Sequence, residues 1–367
     1  MQKKLQQIDQ ELIQLLKERI SVLAASETPT LEEQLSDCRS ILAQVGVPEF
    51  IWQNLVISCL AAVTAASSPK VQIEPRNVTI IGGRGMMGKF FAERLEAAGH
   101  RVKILEYNDW DNADRLLSEA ELVLVCVPIK ITVAVIQKVA KYLAPTAVLA
   151  DIASIKTPIV QAMLEHHTGP VLGLHPMFGP GVKSFLSQKV VVCPSRGQEA
   201  YQWFLDFMRN DGSQLTISTP EEHDRMTIAV QAIRHFSAFS LGVFLAEENI
   251  DISRTLEFAS PIYRLESNII SRLFAQDGSL YADIILASEE RCEAIGRLVD
   301  TFKRLAQLVA QKDRAALMQE FQTTCNFFQP ESKRALEESH YIINALSILL
   351  AASEVKDSPL PATLEIT

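Results

Sequence analysis

Two groups of residues have types and spacings that could do chemistry. The first is Gly83-Arg84-Gly85-Met86-Met87-Gly88, a GxGxxG series directly after the apolar run Val78-Thr79-Ile80-Ile81. Gly83 permits a tight turn, Gly85 lets the backbone approach a pyrophosphate, and Gly88 lets a helix pack closely on the strand. With Arg84, Met86 and Met87 between them they form the candidate cofactor loop, whose helix N-terminus attracts phosphate charge. A second apolar run ends in Glu106, near the ~20 residues further on where such motifs place an acid. Its carboxylate can accept hydrogen bonds from a ribose diol and repels a 2′-phosphate, which selects NAD over NADP; Arg84 partly offsets that repulsion. Val127-Pro128, at a third strand end, completes the set.

The second group holds an acid–base candidate. His175, in Gly173-Leu174-His175-Pro176, comes just after an apolar run and is fixed between that run and Pro176 and Pro180. A histidine held this way can move a proton at near-neutral pH. Ser154, in Asp151-Ile152-Ala153-Ser154-Ile155-Lys156, occupies another strand end. Taken alone, His175 is as readily a packing histidine; next to a nicotinamide site with a hydroxyl at hand, catalysis is the stronger reading.

These residues need a scaffold, and the chain supplies three textures. Residues 1–66 read as helices, with Leu5, Ile8, Leu12, Leu15, Leu16 and Leu23 at helical spacing. Ser67 to Lys70 and Pro75 mark a linker. Residues 71–218 alternate short strands (Val78–Gly82, Arg101–Glu106, Leu122–Val127, Ala147–Asp151, Val171–Leu174, Val190–Cys193) with amphipathic helices. That alternation predicts βαβ units in a Rossmann-type, doubly wound parallel sheet. From Thr219 to about residue 352 the pattern is helical, opening on Thr219-Pro220-Glu221-Glu222, a capping sequence. Residues 353–367 read as a mobile tail. The fold class is therefore α/β, preceded by a small helical domain and followed by a larger one.

Composition narrows the partners. The chain has 367 residues and a net charge of −9, which argues against a nucleic-acid partner but not against a small anion. Six scattered cysteines lack metal-ligand or disulfide-framework spacing, so no metal is expected. The N-terminal stretch MQKKLQQIDQELIQ is polar and amphipathic, with no secretory segment, and no run is read as approaching the ~18–20 apolar residues of a membrane span. The cytoplasm is the expected location, away from any membrane.

Beyond these local readings, residues 77–350 resemble the prephenate dehydrogenase part of the bifunctional bacterial chorismate mutase–prephenate dehydrogenases of the T-protein type. The motifs that carry the resemblance are GGRGMMG, LEYNDWD, VPI, ASIK, GPVLGLHPMFGP, EHD, QAIRHFSAF, SPIYRLE and SRLFAQDGSLYADII, in order. The resemblance implies oxidative decarboxylation of prephenate to 4-hydroxyphenylpyruvate, with NAD, in tyrosine biosynthesis. It implies that His175 takes the proton of the C4 hydroxyl and that Ser154 orients that histidine and the substrate. It implies that Arg272 binds a substrate carboxylate, and that His235 and Tyr281 belong to a pocket for substrate or a tyrosine effector. Lys156 and Arg264 are further cationic candidates for the second carboxylate. Dehydrogenation of arogenate or 4-amino-4-deoxyprephenate, or a non-catalytic NAD- or tyrosine-binding regulator, remain alternatives.

Residues 1–66 resemble the mutase part in a degenerate form. Arg19 falls on a substrate-binding arginine, but an earlier arginine falls near Gln2 and the expected lysine is missing where Glu27-Thr28-Pro29 interrupts the helix. Thr30-Leu31 replaces an Arg-Glu pair. A site that stabilises a dianionic transition state needs converging cations, and one arginine does not supply them. An interhelical ion pair is the favoured role of Arg19, with a remnant anion site for an effector as the alternative. The apolar stripe and the long C-terminal helices suit a symmetric homodimer.

Overall fold

The computed structural model describes residues 2–25, 29–67, 70–179 and 181–353. Glu27, Thr28, Ser68, Pro69, Pro180 and residues 354–367 of the expected tail lie outside the described residues. Contact density divides the chain into two compact units. The first is Met1–Val127, Thr132–Ala153 and Pro158–Thr219; the second is Pro128–Ile131, Ser154–Thr157 and everything from Pro220 onward.

In the first unit, three helices precede the sheet: α1 (Gln2–Ala25), α2 (Leu31–Val45) and α3 (Glu49–Ser67). Thr30 starts α2 by accepting from the Glu33 amide, while the Glu33 carboxylate accepts from the Thr30 amide at 2.8 Å. This reciprocal cap satisfies two amides that the helix itself leaves open. Leu23, Cys59 and Val63 form the small core, with Leu16, Ile20 and Leu55 against it. Most of the predicted α1 stripe is not buried: Leu5, Ile8, Leu12 and Leu15 are 43–60% exposed.

The sheet follows, as β1 (Asn77–Ile81), α4 (Met86–Ala97), β2 (Arg101–Leu105), α5 (Ala113–Leu117), β3 (Leu122–Val125), α6 (Ile129–Val139), β4 (Val148–Asp151), α7 (Thr157–His166), β5 (Val171–Pro176), β6 (Lys189–Arg196), α8 (Gln198–Asn210) and β7 (Gln214–Ile217). Its strand order is β2-β1-β3-β4-β5-β6-β7. The first five strands are parallel, and β6 reverses against β5 before pairing in parallel with β7. Strands buried on both faces read as unbroken apolar runs, which is why Leu122-Val123-Leu124-Val125 is fully buried. An aromatic cluster of Phe90, Phe91, Phe185, Phe204 and Phe207 fills one side of the sheet. Order reverses at β1, which lies between β2 and β3, so a crevice opens at the carboxyl ends of β1 and β3.

The second unit is helical: α9 (Pro220–Thr227), a π-helical segment (Ile228–Ile233), α10 (Arg234–Glu247), α11 (Ile252–Glu257), α12 (Pro261–Phe274), α13 (Gly278–Ile285), α14 (Glu289–Ala310) and α15 (Arg314–Ser353). Ser260, Asp277 and Ser288 cap α12, α13 and α14 through side-chain oxygens. Two sequence expectations are corrected here. The strand β7 and the antiparallel end of the sheet were not anticipated, because β7 is four residues of mixed polarity. The continuous helix Pro220–Glu247 is long and apolar enough, by length and composition, to cross a membrane. Val230, Phe239, Leu241 and Phe244 on it are exposed within the chain.

Candidate active site

The cofactor loop begins where β1 ends. Gly82 accepts no side chain there: its φ is +78°, and a Cβ would fall 2.4 Å from the carbonyl oxygen of Cys126. The tight turn expected at Gly83 is therefore made by Gly82. Its amide donates to Leu105 of β2 and the Cys126 amide donates to Ile81, so the neighbouring strands hold the turn from both sides. Gly88 has the role that its spacing predicts. A Cβ on it would lie 2.3 Å from the Gly82 carbonyl, so only glycine lets α4 start this close to the turn.

Glu106, just past β2, reaches back to this loop. Its Oε1 accepts from the Arg84 amide at 2.7 Å. The acid is thus fixed beside the glycine turn, where a ribose diol would meet it. Val127 lies two residues past the end of β3, and its side chain would touch a Cβ at Gly82. Of the two methionines, Met86 is exposed, whereas Met87 packs against the core and is structural in placement. A cradle that a single Cβ would fill, with a helix start and a fixed acid, fits a dinucleotide.

Because Glu106 both repels a 2′-phosphate and holds the Arg84 amide, its two roles separate by substitution. Glu106→Gln keeps an acceptor for the amide but removes the charge; Glu106→Ser removes both. We expect NAD to be preferred by the native chain, and the NAD-to-NADP ratio of kcat/KM to fall on the order of 10-fold in either variant, ~1.4 kcal/mol. A native chain that uses both cofactors equally at subsaturating concentration would show that Glu106 does not face the ribose.

His175 lies inside β5 rather than just beyond the strand, opposite Val191 of β6, and is only 3% exposed. It stands two residues past Gly173, the partner of Asp151 at the end of β4, and the strand ends one residue later at Pro176. His175 is therefore at the carboxyl edge of the sheet, the edge that carries the glycine turn. Asp151 is buried and accepts from the Ala153 amide at 2.8 Å, which shapes the turn leaving β4.

The second unit contains the remaining candidates. His235 and Tyr281 meet edge to face with ring centroids 4.9 Å apart. Burial, then the charges of Arg234 and Arg291, push the His235 imidazole down to about 4, so it is neutral near pH 7. Burial raises the Tyr281 phenol, against the pull of Arg272 and Arg234. Arg272, exposed on α12, and Arg234, whose Nη1 is 3.4 Å from His235 Nδ1, thus both act on this aromatic pair. Arg234 was passed over in the sequence because it stands inside the motif QAIRHFSAF beside a more conspicuous histidine. Arg264 is eight residues before Arg272 on α12, about 12 Å along the helix axis. Arg234, unlike Arg264, shares with Arg272 an electrostatic effect on Tyr281, which favours it as the companion of Arg272. Lys156 is fully buried, contrary to its expected role as an open cation, and its backbone is fixed as well.

That backbone is held by Asp224, which the sequence showed only as part of EHD. Its carboxylate accepts from the amides of Lys156 and Thr157, both at 2.8 Å, and contacts His223 Nδ1 at 2.8 Å. Burial alone would raise its pKa, but these hydrogen bonds outweigh it and bring the group from 3.8 to about 2. A depressed carboxylate stabilises the fold above its unfolded pKa and loses that contribution as pH falls through the folded one. The native chain should therefore lose roughly 2 kcal/mol between pH 5 and pH 2 through this group. Comparing Asp224→Asn with the native chain by urea midpoint, the stability gap should close over that window. A gap constant down to pH 2.5 would contradict the assignment.

At the N-terminus, Arg19 does not form the expected ion pair with any of the described residues. Its Nη2 donates to the neutral amide of Gln34 at 2.5 Å, and its guanidinium lies 5.2 Å from the ring centroid of Trp52. No cluster of metal-ligating side chains occurs among the described residues.

Comparison with known proteins agrees with this geometry. Residues 93–216 match the nucleotide-binding domain of prephenate dehydrogenase, and residues 219–323 match its dimerization domain. A T-protein of Enterobacter agglomerans is 43% identical over 272 residues, covering 74% of this chain and 73% of that one. The Haemophilus influenzae T-protein is 39% identical over 266 residues, covering 72% and 71%. Among solved structures, a prephenate dehydrogenase from A. aeolicus in complex with hydroxyphenyl propionate and NAD+ superposes with a TM-score of 0.58 at 18% identity, over 71% of this chain and 99% of that one. The fold, the turn that cradles a dinucleotide and these relatives lead to one assignment: this chain belongs to the prephenate dehydrogenase family.

Proposed function

We propose that the chain catalyses NAD-dependent oxidative decarboxylation of prephenate to 4-hydroxyphenylpyruvate, the step that leads to tyrosine. The observation that carries this reading is the grouping of Arg234, Arg272, neutral His235 and Tyr281, a cationic and aromatic lining suited to a ring bearing carboxylates. Arg272 and Arg234 take the substrate anions by charge-assisted hydrogen bonds. His175 accepts the proton of the C4 hydroxyl, and its burial keeps water from competing for that proton. NAD held at the Gly82–Gly88 turn would supply the acceptor for the hydride that leaves C4. The ring carboxylate then leaves as carbon dioxide as the ring becomes aromatic. Ser154 supplies a hydroxyl that orients the substrate. Tyrosine shares the ring and a carboxylate with the product and is the effector this lining would accept.

The test is direct. Purified protein with NAD and prephenate should release reduced cofactor and carbon dioxide in equal amounts, and arogenate should be the poorer substrate. Turnover of arogenate alone would reassign the substrate, and turnover of neither would overturn the reading.

We assign the exposed apolar flank of Pro220–Glu247 to a second copy of the chain, a reading supported by its place within the residues that match a dimerization domain. The exposed stripe of α1 has the same character, and in a chain that already dimerises the same second copy is at hand to cover it. With Arg19 engaged by Gln34 and Trp52, residues 1–66 lack the converging cations of a mutase. No useful conversion of chorismate to prephenate is expected from the intact protein, and deletion of residues 1–70 should lower the oligomer's stability while sparing NAD binding. Robust mutase turnover would defeat the first expectation. An unchanged mass and melting temperature after truncation would defeat the second.

A further inference from the structure

Among the described residues, the largest fully buried side chain belongs to Arg291 on α14, which is 1% exposed. Its Nη1 donates to the Ile284 carbonyl at 2.5 Å, and its Nη2 donates to the Ser154 carbonyl at 3.3 Å and the Thr227 hydroxyl at 2.9 Å. All of these partners are neutral oxygens. Burying a guanidinium without a contacting carboxylate is costly, and burial accordingly lowers its pKa, an effect opposed by the nearby charge of Asp224. Packing an apolar residue in the same space would avoid that cost, so the charge calls for an explanation beyond stability.

The partners give one. Ser154 is the candidate hydroxyl residue itself. Thr227 is the last residue of α9, directly before the π-helical segment that delivers Arg234 and His235. Ile284 lies three residues beyond Tyr281 on α13, one turn along the same helix. A planar fork with several fixed donors can hold three separate backbone segments in one arrangement, which a flexible ammonium or an apolar side chain cannot. Asp224 holds the other end of the same turn through the Lys156 and Thr157 amides. The turn at 154–157 is thus fixed from both sides within this unit.

We propose that Arg291 is a positioning residue that sets the mutual placement of Ser154, His235 and Tyr281 for the substrate. The proposal rests on the functional reading above for the role of those three residues, but the arrangement itself is testable without substrate. Arg291→Lys keeps the charge and loses the fork. It should lower kcat/KM for prephenate at least ~10-fold while the Kd for NAD stays within about twofold. Hydrogen–deuterium exchange, which needs no turnover, should rise together in peptides covering 151–158, 227–236 and 281–286, and not in peptides of the parallel sheet. Should Arg291→Lys fail to fold, Thr227→Val decides, because it removes one acceptor and leaves the arginine in place. Its exchange should rise in 227–236, with a smaller loss of kcat/KM. Exchange that rises throughout the chain, or in none of these segments, overturns the proposal. So does unchanged kcat/KM in a variant whose native parent turns prephenate over. Absence of turnover in the native chain would instead defeat the functional reading, and the exchange pattern would still decide the role of Arg291.

Discussion

Replacing His175 with asparagine is expected to lower kcat by ~10²-fold or more while changing the Michaelis constant for prephenate only a few-fold. Asparagine can occupy a similar volume and keep a hydrogen bond, but it cannot take up a proton near neutral pH. The position suits the test, because His175 is enclosed in β5 and β6 and a small neutral substitute should leave the strand pairing intact. Stopped-flow and steady-state rates with saturating NAD separate the two constants. Near-native kcat would remove His175 from proton transfer and leave it a packing residue at the edge of the sheet.

Arg272→Gln should produce the second large effect, and in the opposite constant. A carboxylate left without its cation loses on the order of 2–5 kcal/mol. Arg272 is exposed in the free chain and Arg234 shares its electrostatic field, so the lower end applies: about 2 kcal/mol, or roughly 30-fold in KM. Turnover at saturation should stay within a few-fold of native. Arg272→Lys should recover part of the affinity, since a point charge replaces a bidentate fork. Equal Michaelis constants for native and Gln variants would exclude Arg272 from carboxylate binding and shift attention to Arg234 or Arg264.

The dinucleotide turn was legible in the sequence because its determinants are local: glycines at fixed spacing, a strand before and an acid at the end of the next strand. What local spacing could not give was which glycine makes the turn. That is decided by the Cys126 carbonyl, just past β3 and more than forty residues away, which presses on Gly82. His175 was expected past its strand because the apolar run ends at Leu174, yet pairing with β6 carries the strand on through His175 and Pro176. Lys156 and Arg19 show the limit for charges. Type and motif pointed to open cations or ion pairs, whereas the fold buried one and gave the other an amide and an indole ring. Arg291 stands in EERCEAIGR, which in sequence is indistinguishable from a solvated helix face, and nothing short of three-dimensional packing reveals it. Secondary structure fared best where patterns were long, and missed β7 where four residues had no clear period.

The π-helical segment at Ile228–Ile233 has a consequence for how this chain tolerates changes of length. Such a segment amounts to an α-helix with one surplus residue, and that residue advances everything after it by about 100° around the helix axis. Arg234 and His235 owe their present azimuth to it. A substitution here changes a side chain, whereas losing a single residue would rewind the helix and swing both away from Tyr281 with every side chain still present. In this stretch, the number of residues carries information that their identities do not.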